Sequence, residues 1–448
     1  MQRTIEKALL EWKTSLDRLP IILRGARQVG KSYIVEKLGK EHFENVVIAN
    51  FEEEKRLSLC FDTLLPAEII SKLEALLAAR ILPRKTLLFL DEIQECPQAI
   101  LALRYFKEKM PELHVIAAGS LLEFVLNEIE FSFPVGRVQF MYLKPLSFQE
   151  FLFNLGQEKL LDRLNKITLE NPLEPLFHDH LLQFVRQYLL VGGMPAVVNL
   201  FSKKSSYLEC QRRQKAIMQT YYNDFSKYAG KVQHKYLQKI FEKVPLLIGQ
   251  HFKYSSIDPE IRSEIIKIAL EQLKWVGLIQ RIFSNNASGI PLKSQKKENK
   301  FKLLFLDIGL LQAATLIDYA AIFEENILQI NAGAIAEQLV GQELLAYGDV
   351  YEDQELYFWE RDKKTSIAEV DYVLQQGSQI IPIEVKAGKT GRLKSLQQFM
   401  EEKKAPFGIR ISQNPLSFEK NILSIPLYMI FEIPRLLKEL RTKIHTNP

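Results

Sequence analysis

The sequence predicts an α/β multidomain chain: a parallel sheet flanked by helices, then a largely helical middle section, then a second α/β section. Three observations lead to this prediction. The chain has 448 residues, which is more than one hydrophobic core usually organises. Residues 1–150 alternate short apolar runs with helical periodicity, a pattern typical of parallel α/β sheets. Residues from about 145 to 275 have almost purely helical spacing, and strand patterns return after them, including several beyond residue 331.

Four apolar runs within residues 1–150 predict buried strands, and helical periodicity fills the intervals between them. The predicted strands are Pro20–Leu23, Asn45–Phe51, Thr86–Leu90 and His114–Ala118. The predicted helices are Lys31–Leu38, Ala67–Ala79 and Gln98–Lys109. Strands that alternate with helices pack in parallel, so we expect their carboxyl ends to meet at one edge of the sheet.

The composition is that of a globular protein without a membrane span or a disulfide framework. Hydrophobic residues make up 47% of the chain and charged residues 25%, as in average globular domains. No apolar run approaches the roughly 20 residues of a membrane span, and the amino terminus has no secretory pattern. The three cysteines lie far apart without metal-binding spacing. We therefore expect a cytoplasmic location and no membrane partner; the net charge of +5 is too small to indicate nucleic acid.

The segment GARQVGKS at residues 25–32 predicts a phosphate-binding loop. It fits the pattern G-x-x-x-x-G-K-[ST], follows a predicted strand and opens a predicted helix. Glycines let successive backbone N–H groups converge on an anion, and the helix adds its positive dipole end. The residues expected to hold the phosphates of ATP are Gly25, Ala26, Arg27, Gln28, Val29, Gly30, Lys31 and Ser32. The alternative is a polar turn that happens to contain a lysine.

Together with the pair Asp91-Glu92, this loop predicts Mg²⁺-dependent hydrolysis of ATP. Lys31 would reach the β- and γ-phosphates, and the Ser32 hydroxyl would ligate Mg²⁺. Asp91 stands at the carboxyl end of the predicted strand Thr86–Leu90 and fits the carboxylate that supports the ion. Glu92 fits a base that orients and deprotonates the attacking water, a role that small-molecule kinases do not need. The alternative for the pair is an acidic loop that caps the next helix.

Two further residues are candidates for the hydrolytic site. Ser120 follows the predicted strand His114–Ala118, where it would sense the γ-phosphate or hold the attacking water. The alternative for Ser120 is the N-cap of a helix from Leu121 onward. Arg137, in the segment PVGR, would complete the site of a neighbouring subunit as an arginine finger, which predicts a homo-oligomer. The alternative for Arg137 is an ordinary surface arginine.

Two predicted strands near the carboxyl terminus, EVDYVL and IIPIEVK, bring carboxylates together. A tight turn near Gln376-Gly377 would set Asp371 across from Pro382, so that Asp371 and Glu384 become diagonal neighbours on one face. Two carboxylates this close repel each other, and we expect Mg²⁺ between them with Asp371 and Glu384 as ligands. Lys386 shares their face and would activate a water or stabilise the phosphorane charge. The alternative is an ion pair between Glu384 and Lys386 on a solvated face.

The segment PLKSQKKENKFK at residues 291–302 carries five lysines and consists mostly of a polar loop between two predicted strands, the second of which begins at Phe301. Together with the helical pattern before it, this segment predicts a winged-helix arrangement with a basic wing. Lysines at a hairpin tip would neutralise phosphates of DNA or RNA without reading their sequence. The alternative is an ordinary solvated loop.

These segments together resemble a family of bacterial and archaeal P-loop ATPases related to the AAA+ class, whose uncharacterised C-terminal domain is similar to PD-(D/E)XK nucleases. The resemblance is carried by segments over most of the chain: GARQVGKS, LLFLDEIQ, AAGSLLEF, VGRV, LKPLSFQEFL, YLLVGGMPAVV, LLFLDIGLL, EVDYVL and IPIEVK. The departures are small. Ser32 replaces the commoner threonine, and Ala118 stands where the family often has threonine.

The resemblance implies a restriction-endonuclease-like fold for the C-terminal section. It also implies a further acidic ligand on the preceding helix, Glu337, which would bind the metal ion through water. Four domains follow: a P-loop AAA+-type ATPase domain at 1–150, a helical lid at 151–230, a winged-helix-like domain at 231–320 and a PD-(D/E)XK nuclease-like domain at 321–448.

Two functions from different classes fit the sequence. One is an ATP-hydrolysing switch or motor that controls a nuclease-like domain acting on nucleic acid. The other is a non-cleaving, ATP-dependent regulator whose C-terminal domain binds DNA or a protein partner. A structural protein with vestigial sites fits less well, because several independent motifs are chemically complete.

Overall fold

The computed structural model describes residues 1–123, 136–227, 231–315, 332–361 and 368–446. The chain forms two compact units. Unit 1 consists of Met1–Lys144, Glu271–Leu278 and Asp349–Asp353, and unit 2 of Pro145–Leu270, Ile279–Gly348 and Gln354–Pro448. The predicted domain boundaries at residues 230 and 320 lie outside the described residues, and the division into four domains stays a prediction.

The α-helices of the described residues fall in all parts of the chain. They are α1 (Ile5–Thr14), α2 (Lys31–His42), α3 (Pro66–Leu77), α4 (Pro97–Lys109), α5 (Phe148–Asn154), α6 (Glu158–Leu164), α7 (Pro175–Val191), α8 (Pro195–Lys204), α9 (Tyr207–Asp224), α10 (Lys231–Lys243), α11 (Ser263–Trp275), α12 (Ile308–Ala314), α13 (Ala332–Ala346), α14 (Lys394–Lys403) and α15 (Ile433–Thr446). The predicted helical character of the middle section is confirmed.

The strands of the described residues fall into two groups along the chain. They are β1 (Ile21–Arg24), β2 (Asn45–Asn50), β3 (Thr86–Asp91), β4 (His114–Ala118), β5 (Gln139–Tyr142), β6 (Ile279–Asn285), β7 (Lys296–Phe305), β8 (Leu356–Glu360), β9 (Glu369–Gln376), β10 (Gln379–Val385), β11 (Gly408–Ser412), β12 (Ser417–Glu419) and β13 (Ile422–Pro426). The first five belong to unit 1 and the others to unit 2.

The sheet of unit 1 has the order β2-β3-β4-β1-β5, and every neighbouring pair is parallel. The four predicted strands are confirmed as β1 to β4, whereas β5 is an edge strand that the sequence reading missed because it is only partly buried. Strands β3 and β4 are buried along their whole length. Because all strands run the same way, the carboxyl ends of β3, β4 and β1 lie side by side at one edge.

Unit 2 contains a mixed eight-stranded sheet in the order β12-β13-β11-β10-β9-β8-β6-β7. Strand β6 pairs with β7 in antiparallel fashion and with β8 in parallel fashion. The hairpin of the middle section therefore continues the C-terminal sheet. The restriction-endonuclease-like arrangement and the winged-helix topology stay predictions.

The register predicted for the carboxylate hairpin was wrong by two residues. Pro382 pairs with Val373, and continuing this register sets Glu384 directly opposite Asp371 instead of diagonal to it. The turn consists of the two residues between Gln376 and Gln379, and it begins with Gly377 at a φ of 61°. A glycine with positive φ is favoured at the first position of a two-residue hairpin turn, so the turn lies one residue later than predicted.

The lysine-rich segment at residues 291–302 was wrongly predicted to be a loop up to Phe301. Strand β7 begins at Lys296, and Lys296 pairs with Asn285 across the hairpin. The register of the β6–β7 pair shifts between Phe283 and Ser284. This irregularity lets β7 include its polar first half, which has no alternating pattern.

Candidate functional site

The predicted phosphate loop connects the end of β1 to the start of α2. Three of its residues have positive φ angles: 150° at Gly25, 65° at Gln28 and 98° at Gly30. This backbone turns the chain back sharply between strand and helix, and it is the reason for the two glycines. Arg27 points away to an ion pair with Glu52, at 3.6 Å.

Lys31 is buried at the amino end of α2, with an exposed fraction of 7%. Its ammonium group donates hydrogen bonds to the carbonyl oxygens of Gly25 and Ala26, at 2.9 and 3.0 Å. Burial lowers the pKa of Lys31 to about 8, against the opposing effect of the nearby carboxylates Glu92 and Asp91. A phosphate bound at this helix end would give the buried ammonium group an anionic partner and so stabilise its charged form.

Ser32 and Asp91 meet directly, although they are far apart in sequence. The Ser32 hydroxyl donates a hydrogen bond of 2.8 Å to Asp91 Oδ2. Burial raises the pKa of Asp91, and the Ser32 hydroxyl partly offsets this effect. Ser32 and Asp91 come into contact because the strands are parallel. Asp91 at the end of β3 therefore lies at the same sheet edge as the loop after β1, which is two strands away.

Glu92 is held by side chains from the ends of two neighbouring strands. Gln94 Nε2 donates to Glu92 Oε2 at 2.7 Å, and the Ser120 hydroxyl lies 3.4 Å from the same oxygen. Gly119 makes this possible, because a Cβ there would lie 2.2 Å from Gln94 Oε1. The structure therefore brings Ser120 and Glu92 together beside Lys31.

Arg137 does not join this group of residues. It lies two residues before β5, at the amino edge of the sheet, whereas the phosphate loop is at the carboxyl edge. Its Nε contacts Glu108 Oε1 at 3.0 Å, and its side chain is 48% exposed. Arg137 is therefore placed on the surface of unit 1.

Sequence reasoning missed two residues that support the loop. The buried Arg3 guanidinium donates to the carbonyl oxygens of Val29 and Lys144, at 3.0 and 2.6 Å. Gly277 has a φ of 75°, and a Cβ there would lie 3.3 Å from the Cβ of Ala26. No local motif signals either contact, because each partner is ordinary backbone or a methyl group.

The structure brings Asp371 and Glu384 together on β9 and β10. The N–H of Val385 donates to Asp371 Oδ2 at 2.7 Å, and Lys386 Nζ lies 2.6 Å from Glu384 Oε1. Burial and the charge of Asp371 raise the pKa of Glu384 to about 7. The ion pair that was the alternative prediction for Glu384 and Lys386 is thus present, but Glu384 is buried and does not lie on a solvated face.

Glu337 lies on α13 and faces the same group of carboxylates. Burial and the charge of Asp371 raise the pKa of Glu337 to about 7. Lys302, from β7, contacts Glu337 Oε2 at 3.1 Å and also contacts Glu369. Within the described ranges, no group of three or more His, Cys, Asp or Glu side chains is arranged to hold a metal ion. The carboxylates are present as predicted, but Lys302 was not foreseen among them.

The lysines of residues 291–302 are largely engaged with acidic partners. Lys296 lies 3.0 Å from Glu355, and Lys300 lies 2.9 Å from Glu360. Lys302 is buried. Contacts of this kind reduce the positive charge that the hairpin offers to a phosphate backbone.

A buried polar network connects three segments that were assigned no role from the sequence: LKPLSFQEFL, YLLVGGMPAVV and LLFLDIGLL. Glu343 accepts the Phe148 N–H at 3.0 and 3.1 Å and contacts the Tyr188 hydroxyl at 3.2 Å. Gln342 Nε2 donates to the same hydroxyl at 2.9 Å and lies 3.4 Å from Asp307 Oδ2. Burial raises the pKa of Glu343 to about 7 and that of Asp307 to about 6. The network ties α5, α7, α12 and α13 into one core.

Among the residues that the structure describes, no helix is both long enough and apolar enough to cross a membrane.

Comparison with known proteins identifies three successive segments. Residues 17–152 match the family described as AAA domain. Residues 182–321 match a domain of unknown function (DUF8612), and residues 332–430 match another (DUF4143). No curated protein matches this chain.

Similar solved structures include three proteins of low identity. The Thermotoga maritima RuvB Holliday junction branch migration motor is 14% identical, with a TM-score of 0.29 over 63% of this chain and 89% of its own. The replication initiator DnaA bound to AMPPCP and single-stranded DNA is 13% identical, with a TM-score of 0.26 over 61% and 89%. The S. cerevisiae Hsp104–ADP complex is 13% identical, with a TM-score of 0.28 over 62% and 38%. Likeness at this level carries no argument about function.

The chain thus begins with a P-loop ATPase domain of the AAA type, which is followed by two domains of unknown function.

Proposed function

We propose that unit 1 binds ATP and hydrolyses it with Mg²⁺. The observation that carries this proposal is the 2.8 Å contact between the Ser32 hydroxyl and the Asp91 carboxylate, next to Lys31 at the amino end of α2. The helix end and the loop amides attract phosphate oxygens, and the ammonium group adds a full positive charge.

The oxygen atoms of Ser32 and Asp91 suit Mg²⁺, which prefers hard oxygen ligands and keeps several waters. Ser32 would hold the ion directly, and Asp91 would hold it through the hydroxyl or through a water. Such an ion neutralises charge on the β- and γ-phosphates.

Glu92 is the residue that favours hydrolysis over mere binding. Its carboxylate is oriented by Gln94 and lies beside the Ser120 hydroxyl. An oriented carboxylate next to the phosphate loop accepts a proton from a water aligned with the γ-phosphate. Ser120 would hold the same water or sense the γ-phosphate.

Arg137 would act on a second copy of the chain. It lies at the sheet edge opposite the phosphate loop, so its guanidinium is remote from its own site. A residue on that surface suits an arginine finger given to a neighbouring subunit, where it would stabilise charge on the transferred phosphoryl group. This proposal requires a homo-oligomer.

For unit 2 the geometry favours the non-cleaving regulator over the nuclease. The specific observation is that Glu384 is paired with Lys386, and Glu337 with Lys302. The engaged lysines of residues 291–302 favour a protein partner over DNA or RNA. Mg²⁺-dependent strand scission that is lost in Asp371→Ala but kept in Lys31→Ala would favour the nuclease instead.

The experiment that tests the ATPase is phosphate release from ATP with Mg²⁺, measured beside nucleotide binding by calorimetry. Lys31→Ala is expected to abolish both, because it removes the positive charge at the phosphates. Glu92→Gln is expected to lower turnover by about 100-fold or more while ATP still binds, because the amide cannot accept the proton of the water.

Two matched substitutions control for general damage. Lys40→Ala removes an exposed lysine of the same helix, and Glu95→Gln neutralises an exposed glutamate near Glu92. Both should keep wild-type turnover. Wild-type turnover in Lys31→Ala or Glu92→Gln would refute the proposed roles, and turnover that Mg²⁺ chelation leaves unchanged would refute the role of the metal.

A further inference from the structure

Lys302 carries a buried positive charge among the carboxylates of unit 2. Its side chain is 3% exposed, and its ammonium group contacts Glu337, at 3.1 Å, and Glu369. Asp371 adds a third negative charge nearby. A buried ammonium ion is stable only where anions replace its hydration shell, so Lys302 and the carboxylates stabilise one another.

Glu384, the remaining carboxylate, has a lysine of its own. Lys386 Nζ lies 2.6 Å from Glu384 Oε1. Asp371 in turn accepts the N–H of Val385 at 2.7 Å. Each carboxylate of the predicted metal site is therefore already in contact with a positive charge or an N–H donor.

The donor geometry for a divalent cation is lacking as well. Mg²⁺ requires oxygens at about 2.1 Å in a nearly octahedral arrangement. Over the described ranges, no group of three or more acidic, histidine or cysteine side chains is arranged to hold a metal ion. Lys302 and Lys386 together supply the two positive charges of one Mg²⁺, but their ammonium groups are fixed on β7 and at the end of β10. The predicted metal therefore does not fit the residues as they stand.

We propose that Lys302 is a built-in counter-ion that takes the place of a divalent cation in this carboxylate cluster. Its ammonium group offsets part of the negative charge of Glu337, Glu369 and Asp371, so that unit 2 folds without metal and holds no catalytic Mg²⁺. Removing this charge leaves the carboxylates uncompensated, so that they would draw together around a divalent cation. Glu384 Oε2, which is buried and accepts no hydrogen bond from the described residues, would then have a ligand. The inference goes beyond ATP hydrolysis and does not depend on it.

The test measures Mn²⁺ binding to the full chain in the absence of nucleotide, by the electron paramagnetic resonance signal of free Mn²⁺. The wild-type chain is expected to bind no Mn²⁺ at the cluster, so Asp371→Asn should leave its titration unchanged. Lys302→Met is expected to bind one Mn²⁺ more than the wild type does, with an affinity of the cluster for Mn²⁺ at least about tenfold above that of the wild-type cluster, because a buried positive charge has been removed. Mn²⁺ should also raise its unfolding temperature, and adding Asp371→Asn should abolish both effects.

Two control variants separate charge from packing. Lys300→Met changes a lysine of the same strand that contacts Glu360 at 2.9 Å but is 52% exposed, and it should gain no Mn²⁺ site. Lys302→Arg keeps the charge and should titrate like the wild type.

Two outcomes would overturn the proposal. One is a wild-type chain whose Mn²⁺ affinity falls in Asp371→Asn, because the cluster would then be a metal site already. The other is a Lys302→Met chain that is folded by circular dichroism and gains no site. The wild-type comparison decides the question even where Lys302→Met does not fold.

Discussion

Gly25, the first residue of the phosphate loop, packs against the chain at the end of β5 so closely that no side chain fits there. A Cβ on Gly25 would lie 2.3 Å from the carbonyl oxygen of Leu143. That carbonyl belongs to a residue whose N–H donates to Arg24 O at 2.8 Å, so it cannot move away without breaking the strand pairing. The first glycine of the loop is therefore required by packing as well as by its φ of 150°.

Gly25→Ala is expected to weaken ATP binding by about tenfold or more. The new methyl group forces the loop away from Leu143, and about 1.4 kcal/mol of strain already costs a factor of ten in affinity. Calorimetric titration with ATP and Mg²⁺ checks this expectation.

Gly156→Ala is the matched control for this substitution. Gly156 also has a positive φ, 73°, but a Cβ there meets nothing within 4 Å. It should cost stability without changing the affinity for ATP. Equal affinity in Gly25→Ala and the wild type would mean that the loop tolerates the shift and that the contact with Leu143 does not position it.

The residues of the phosphate loop could be predicted because their signal is local. Lys31 and Ser32 follow from one eight-residue motif, and Asp91 follows from its place at a strand end. Arg3 could not be predicted, because its partners are the carbonyl oxygens of Val29 and Lys144, which every residue type carries. Its role depends on where the backbone passes and not on any side-chain pattern.

Among elements, the network around Glu343 is the main device that holds the helices of unit 2 together. Glu343 on α13 accepts the N–H of Phe148, the first residue of α5, and contacts Tyr188 on α7. Its side chain is 1% exposed. A buried carboxylate with several donors fixes the start of one helix against two others.

Glu343 should make the stability of unit 2 depend on pH. Burial raises the pKa of Glu343 to about 7 in the folded chain, against about 4.3 for an unperturbed glutamate. The folded chain therefore holds this proton more tightly than the unfolded chain does. The resulting contribution to the free energy of unfolding is fully present below about pH 4.3 and is lost as the pH rises through about 7.

Glu343→Gln is expected to remove most of this dependence. A glutamine keeps the acceptor for the Phe148 N–H and stays neutral at every pH. Between about pH 5 and about pH 8, the free energy of unfolding of the variant should therefore fall by about 3 kcal/mol less than that of the wild type. Urea unfolding at both pH values measures the difference. Glu401→Gln, an exposed change on α14, should keep the wild-type slope; an unchanged slope in Glu343→Gln would assign the proton to another group.

The carboxylate hairpin of β9 and β10 shows what an alternating strand pattern can predict and what it cannot. Alternation along β9 and β10 correctly predicted that Asp371 and Glu384 share a face, because this depends only on the period of two. The alternating pattern could not choose between registers that differ by two residues, since a shift of two residues leaves every side chain on the same face of the sheet. The position of Gly377 in the turn decided it.

For the whole molecule, the placement of Arg137 predicts that activity depends on assembly. In such an assembly, one chain supplies the phosphate loop of each site and the neighbouring chain supplies the arginine. Arg137→Ala keeps its own phosphate loop, and Lys31→Ala keeps its arginine. We expect each variant alone to be at least about 100-fold less active than the wild type, and a mixture of the two to regain a substantial part of the activity.

The mixing experiment is measured as phosphate release per chain at several ratios of the two variants, with light scattering to follow assembly. Arg104→Ala, which removes an exposed partner of the same Glu108, should retain activity by itself. Full activity of Arg137→Ala alone, or no recovery in a mixture that assembles, would show that Arg137 serves only its surface contact with Glu108.

The sequence alone determined the alternation of β1 to β4 with helices in unit 1, the phosphate loop and the acidic pair, because each depends on short-range periodicity and on motifs of a few residues. Tertiary structure decided which distant residues meet. It placed Arg3 behind the loop, joined β6 to β8, and brought Lys302 among the carboxylates of α13 and β9. These contacts follow from chain topology, and a lysine in a polar segment gives no sign of whether it faces water or a buried acid.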